Sequence, residues 1–150
     1  MPSQIKLDKT YLDMAQVWSQ LSKANRKKVG CLIVKNGSII SDGYNGTPSG
    51  FNNECEYNPD PNIFHKIITK PEVLHAESNA ITKLAKSTQS SEGATMYITI
   101  APCLDCAKLI IQSGIKRVVY KDNYKNLDGV NLLKKAQIKI LYFKDIIKKI

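Results

Sequence analysis

From residue 75 to residue 143 the sequence switches back and forth between a helical and an extended hydrophobic period. Helical patterns occupy 75–87, a segment opening at Pro102, and 127–136. Between and after them lie the apolar runs ATMYITI (94–100), IKRVVY (115–120) and IKILYF (138–143). Strands separated by helices pair in parallel, with the helices covering the sheet faces. Ahead of this alternation, VGCLIV (29–34) and SIISDGY (38–44) flank Lys35-Asn36-Gly37. Asn-Gly accepts positive φ, which predicts a hairpin and one antiparallel pairing. Asp8 precedes a pattern that puts Tyr11, Met14, Ala15, Trp18, Leu21 and Ser22 on one face, predicting a first helix over residues 9–23. The expected fold is α/β: a single three-layer α/β/α domain spanning residues 1–150 around a five-stranded mixed sheet.

The length of 150 residues and the 43% hydrophobic content are enough for one buried core. Internal repeats, low-complexity tracts and linkers are absent from the sequence. No apolar run approaches the roughly 20 residues that a membrane span needs. The opening MPSQIKLDKTYLD has no apolar signal core, so a cytoplasmic, non-membrane protein is expected. The formal charge of +9 is concentrated late: residues 116–150 hold ten Lys/Arg against three Asp. Such an excess suits anionic partners, whether nucleic acid, membrane surface or phosphorylated metabolites, or else a lysine-rich solvated surface. The turn-rich stretch from Asn45 to Pro71 is long for a connection in a compact domain, and such loops are usually functional.

Four cysteines stand at 31, 55, 103 and 106. Nothing suggests secretion, so disulfides are not expected. Cys31, inside VGCLIV, reads as a small buried hydrophobe. Cys103 and Cys106, three apart in Pro102-Cys103-Leu104-Asp105-Cys106, can point the same way from the first turn of a helix. Pro102 suits such a turn, and the positive helix end favours thiolates. A second motif, His75-Ala76-Glu77, also lies at a predicted helix start. His75, Cys103 and Cys106 together make three zinc ligands, which leaves the fourth tetrahedral position for water made acidic by the metal. Glu77 is placed to move protons beside it. Either motif alone is weak: His75 would pass as a helix-cap histidine and Glu77 as a carboxylate favoured by the helix dipole. In this order they form the H-x-E and P-C-x-x-C signature of zinc nucleobase deaminases. A redox Cys pair would leave His75 and Glu77 unexplained. A closed structural zinc, completed by Cys55 or His65, would leave Glu77 idle.

These residues lie in a chain that resembles the deoxycytidylate (dCMP) deaminases of the cytidine deaminase-like superfamily, phage and bacterial members above all. The likeness runs through Val29 to Val34, GYNGTPSG (43–50), His75 to Ile81, Pro102 to Cys106 and Gln112 to Lys116. It implies hydrolysis of dCMP to dUMP and ammonia, supplying thymidylate synthesis, with Glu77 as the catalytic acid–base and one zinc on His75, Cys103 and Cys106. It also implies that Asn45 binds the sugar 3′-hydroxyl and that the backbone at Ala76 and Cys103 meets the base. Tyr120, Lys121 and Tyr124, after a strand end, are candidates for the substrate phosphate.

Family members are hexamers activated by dCTP and inhibited by dTTP with magnesium. On that pattern Gly46, Thr47, Pro48, Gly50 and Phe51 would form an effector pocket, with Arg26, Lys27 and Lys28 reaching effector phosphates. The bland readings are a tight turn and a solvated basic helix end. Residues 52–74 match the family poorly, and no second zinc on Cys55 and His65 is expected. Three other readings stay open: a nucleic-acid-editing deaminase of the tRNA adenosine type, an idle zinc-stabilised nucleotide-binding module, and a deaminase of free deoxycytidine. GYNGTPSG and the lack of a basic extension carrying stacking aromatics argue against the first, and Glu77 against the second.

Overall fold

The Asn-Gly turn is formed as expected, with φ of 51° at Asn36 and 76° at Gly37. A computed structural model describes residues 2–63 and 66–148. In chain order its first half contains α1 (Gln4–Ser19), the hairpin β1 (Gly30–Lys35) and β2 (Ser38–Tyr44), and the short pair β3 (Glu56–Tyr57) and β4 (Ile68–Thr69). The second half contains α2 (Ala76–Leu84), β5 (Thr95–Ile100), α3 (Leu104–Gln112), β6 (Arg117–Asp122), α4 (Asp128–Lys135), β7 (Lys139–Tyr142) and α5 (Phe143–Ile147). The five-stranded sheet has the order β2-β1-β5-β6-β7. A tight turn forces β1 and β2 antiparallel, and β1 also runs antiparallel to β5. Helical crossovers make β5, β6 and β7 parallel, so the sheet is mixed.

Strand periodicity sorts the core into two halves. Cys31, Ile33, Met96, Ile98, Val118 and Tyr120 face α2, α3 and α4, meeting Ala80, Leu84, Ala107, Ile110, Val130 and Leu133. Their neighbours Leu32, Val34, Tyr97 and Val119 face the opposite way, onto Leu12 and Ala15 of α1, with Phe143 and Ile146 of α5 packed beside them. Burial on both faces is why these strands read as continuous apolar runs rather than alternating ones. Cys31 is wholly buried, as its apolar context required.

Three local expectations need correction. α1 begins at Gln4, where the Ser3 hydroxyl accepts from the Lys6 N–H, rather than after Asp8. Its buried stripe is Asp8, Leu12, Ala15 and Ser19, while Met14 and Leu21 are 42% and 49% exposed. Two of the four buried residues are polar, so a search for the apolar stripe settles on the adjacent face. Pro102 lies before the N-cap of α3 rather than in its first turn. Finally, IKILYF ends as a strand at Tyr142, and Phe143 opens the unanticipated α5.

Asp8 is an anchor for the sheet, not a helix cap. Its carboxylate accepts from Arg117 Nη1 at 2.9 Å and Nη2 at 2.6 Å, and from the Tyr97 hydroxyl at 2.7 Å. Burial alone would raise its pKa, but Arg117, Tyr97 and Gln4 outweigh burial and hold it below the usual 3.8. A carboxylate with a lowered folded pKa stabilises the fold above its unfolded value and loses that contribution as pH falls through the folded one. Asp8→Ala is therefore expected to cost about 3–5 kcal/mol at neutral pH, because it strands a buried guanidinium. The loss should shrink below pH 3.8, as urea melts at stepped pH would record.

Candidate active site

Two helix starts meet at one end of the sheet, just past the C-terminal end of the central strand β5. His75 is the N-cap of α2 and Cys103 the N-cap of α3, both in extended backbone conformation. Neither makes the side-chain hydrogen bond that a Ser or Asp would give at that position. Their side chains turn instead toward each other and toward Cys106 in the first turn of α3. His75 Nδ1 lies 3.4 Å from Cys103 Sγ and 3.3 Å from Cys106 Sγ. Bond lengths of about 2.05 Å and 2.3 Å at a tetrahedral zinc put nitrogen and sulfur about 3.6 Å apart, so the donor set fits that ion. All three donor atoms lie within 4.8 Å of one another. Ser78 donates to the His75 carbonyl at 2.9 Å and helps fix the ligand's backbone.

Close packing holds both turns in place. A Cβ on Gly43 of β2 would fall 2.3 Å from the Ala76 carbonyl oxygen. One on Gly129 of α4 would fall 2.1 Å from that of Pro102 and 2.7 Å from that of Cys103. The absent side chains let β2 and α4 press directly on the two ligand turns.

The electrostatics suit a cation. The Cys106 thiol favours an ionised Cys103, whose pKa falls to about 4. The same contact and burial push Cys106 far upward. His75 is raised, chiefly by its contact with Cys103. A metal takes the place of these protons, since its ligands must be deprotonated. Glu77 is 3% exposed, and burial pushes its pKa up to about 7, against the lowering effects of its backbone and His75. A carboxyl poised near neutrality can both accept and return a proton.

The metal-ligand cluster opens into a cavity of about 390 Å³, lined in part by Asn45, Ala76, Glu77, Ile100, Ala101 and Tyr124. Residues 5–122 match the family described as the cytidine and deoxycytidylate deaminase zinc-binding region. The chain belongs to this deaminase family. Among the family's proteins, deoxycytidylate deaminase of Enterobacteria phage T4 is 41% identical over 167 aligned positions, covering 87% of this chain and 86% of the phage protein. The crystal structure of dCMP deaminase from cyanophage S-TIM5, in complex with dCMP and dUMP, matches with a TM-score of 0.83 and 42% identity, over 93% of this chain and 97% of that one. A structure of tRNA:A34 deaminases matches at a TM-score of 0.58 with 19% identity, over 89% of this chain and 96% of that one, which shows a shared fold alone.

Within this deaminase fold the other expected residues separate. Asn45 reaches the cavity wall, with its amide oxygen accepting from the Val29 N–H at 2.9 Å and its amide nitrogen donating to the Lys27 carbonyl at 2.8 Å. Tyr124 also reaches it, under the Lys125 ammonium 5.6 Å from its ring centroid. Tyr120 does not: it is buried on the face of β6 that packs against α2, α3 and α4, stacked on Tyr142 at 5.1 Å. Lys121 points to the other face, where its ammonium donates to Gln16 at 3.3 Å. Alternation sends the two to opposite faces of β6, neither of them lines the cavity, and only the loop beyond the strand delivers a side chain.

Gly46, Thr47, Pro48, Gly50 and Phe51 line a second cavity of about 400 Å³ with Asn79, Lys83 and Lys86. Arg26 and Lys27 are not there; they line the catalytic cavity instead, and Lys28 lines neither. Sequence reading missed Lys125, Glu56 and Thr69 on the catalytic cavity. Only the length of the turn-rich segment hinted at the last two. Cys55 is buried at the same wall, while His65 lies outside the described residues. Among the described residues, no helix is long and apolar enough to cross a membrane.

Proposed function

We propose that this chain is a zinc-dependent dCMP deaminase, a single deaminase domain over residues 1–150 that converts dCMP to dUMP and ammonia. The observation that carries the reading is buried Glu77 beside the His75, Cys103 and Cys106 donor set, at the floor of a cavity with cationic side chains. Zinc on those three ligands would supply Lewis acidity, bringing the pKa of water to about 7. Glu77 accepts the proton of the water that adds to C4 of the pyrimidine and delivers it to N3. It then takes the proton of the new C4 hydroxyl and passes it to the departing amine, so that ammonia leaves and the C4 carbonyl forms. Asn45 and the Ala76 backbone hold the sugar and the base. Arg26, Lys27 and Lys125, with Tyr124, offer the cationic lining that a 5′-phosphate needs.

The finer reading adds regulation: dCTP with magnesium activates and dTTP with magnesium inhibits, both in the second cavity, with Lys83 and Lys86 in the phosphate role first given to Arg26, Lys27 and Lys28. A cavity built from GYNGTPSG residues supports it. A homo-oligomer, a hexamer on the family pattern, accords with exposed Met14 and Val17 on α1 and Leu21 just after it. A place in the cytoplasm, supplying dUMP for thymidylate synthesis, belongs to the same reading. Ammonia release from dCMP by zinc-loaded protein, with dCTP–Mg and then dTTP–Mg, tests the reaction and its regulation. Turnover raised by the first and suppressed by the second is expected. Turnover indifferent to both would overturn the effector cavity, and no turnover would overturn the dCMP reading.

A further inference from the structure

The catalytic cavity has one wall that the ligand turns do not build. It is the short β3–β4 pair, in which Glu56 stands opposite Thr69, extended by a hydrogen bond from the Lys70 N–H to the Cys55 carbonyl at 2.8 Å. This pair is fastened to the segment around residues 25 and 26 by side chains rather than by a sheet. One oxygen of Glu56, Oε1, accepts from the backbone N–H of Asn25 at 2.7 Å and from that of Arg26 at 3.1 Å. Across the pair, the Arg26 guanidinium donates to the Thr69 hydroxyl at 3.5 Å. Arg26, Glu56 and Thr69 all line the cavity, on the same wall as Lys27.

A carboxylate that accepts two successive backbone N–H groups fixes the direction of that peptide, as a helix cap does for a first turn. Here the fixed peptide carries Arg26, whose long side chain would otherwise lose considerable rotamer freedom on binding an anion. We propose that Glu56 is a positioning residue for phosphate recognition: it holds the 25–26 backbone so that Arg26 faces the cavity before the nucleotide enters. The proposal rests on the dCMP reading. Glu56 acts through its acceptor oxygen, so a glutamine, which keeps a carbonyl oxygen in the same place, preserves most of the effect. The reaction itself, at the far end of the cavity, is untouched.

Steady-state kinetics on dCMP with zinc-loaded wild type, Glu56→Ala and Glu56→Gln test this. Glu56→Ala is expected to raise KM about tenfold with kcat within about twofold, the pattern of binding lost equally from ground and transition states. Glu56→Gln is expected within about threefold of wild type in KM. The assignment is overturned if Glu56→Ala leaves KM unchanged, if kcat falls as much as KM rises, or if Glu56→Gln is as impaired as Glu56→Ala. Wild-type protein inert toward dCMP would instead overturn the dCMP reading, so the two failures are distinguishable.

Discussion

Glu77→Gln should lower kcat for dCMP by roughly 10²- to 10⁴-fold, the range for removing a positioned acid–base group. Glutamine fills the same buried space, and Glu77 is 3% exposed, so repacking is slight. Metal analysis should find zinc content unchanged, because the proposed ligands are His75, Cys103 and Cys106 and the carboxyl is not among them. Wild-type turnover in this variant would remove Glu77 from the proton path. The pH profile carries the same claim. Burial pushes the group up to about 7, and a cation beside it favours the carboxylate. The acid limb of kcat/KM should therefore lie at or below about 7 and vanish with the glutamine.

Cys106→Ala should lose zinc and activity together. Cys106 is the buried donor of the three, so its replacement leaves only His75 and Cys103 of the set. A metal that binds only the native chain also stabilises it, so the melting temperature of the variant should stop responding to added zinc. Because the ligands bind metal only when deprotonated, acid should strip zinc from the wild-type protein. Cys106→Ser should release it at higher pH, as the oxygen donor competes less well. Full zinc occupancy in Cys106→Ala, measured by metal analysis, would break the assignment of the ligand set.

The clustering of His75, Cys103 and Cys106 was legible in the sequence because its signals are local: His75 to Glu77 and Pro102 to Cys106 each fit within one helical turn. The antiparallel hairpin and the parallel pairing of the later strands followed from the Asn-Gly turn and the strand–helix alternation for the same reason. The anchoring role of Asp8 has no local signal, because its partners, Arg117 and Tyr97, come from distant strands and satisfy it only in the folded chain. The phosphate wall failed differently. Tyr120 and Lys121 sit on opposite faces of β6 and neither lines the cavity, whereas Arg26 and Lys27 reach it through the fold of the 24–28 segment. Glu56 and Thr69 carry no motif at all, because their role depends on a cross-strand pairing of two residues per strand.

The chain leaving β2 has a consequence of its own. Asn45 faces the catalytic cavity, while Tyr44, Gly46 and Thr47 line the second one. Gly46 is bonded both ways to Leu74, the residue before His75, and the Tyr44 carbonyl accepts from Asn79 at 2.8 Å. The two chambers are thus divided by a partition one chain thick, nailed to the start of α2. A partition that thin cannot be remodelled on one side alone: whatever enlarges one room shifts a wall of the other.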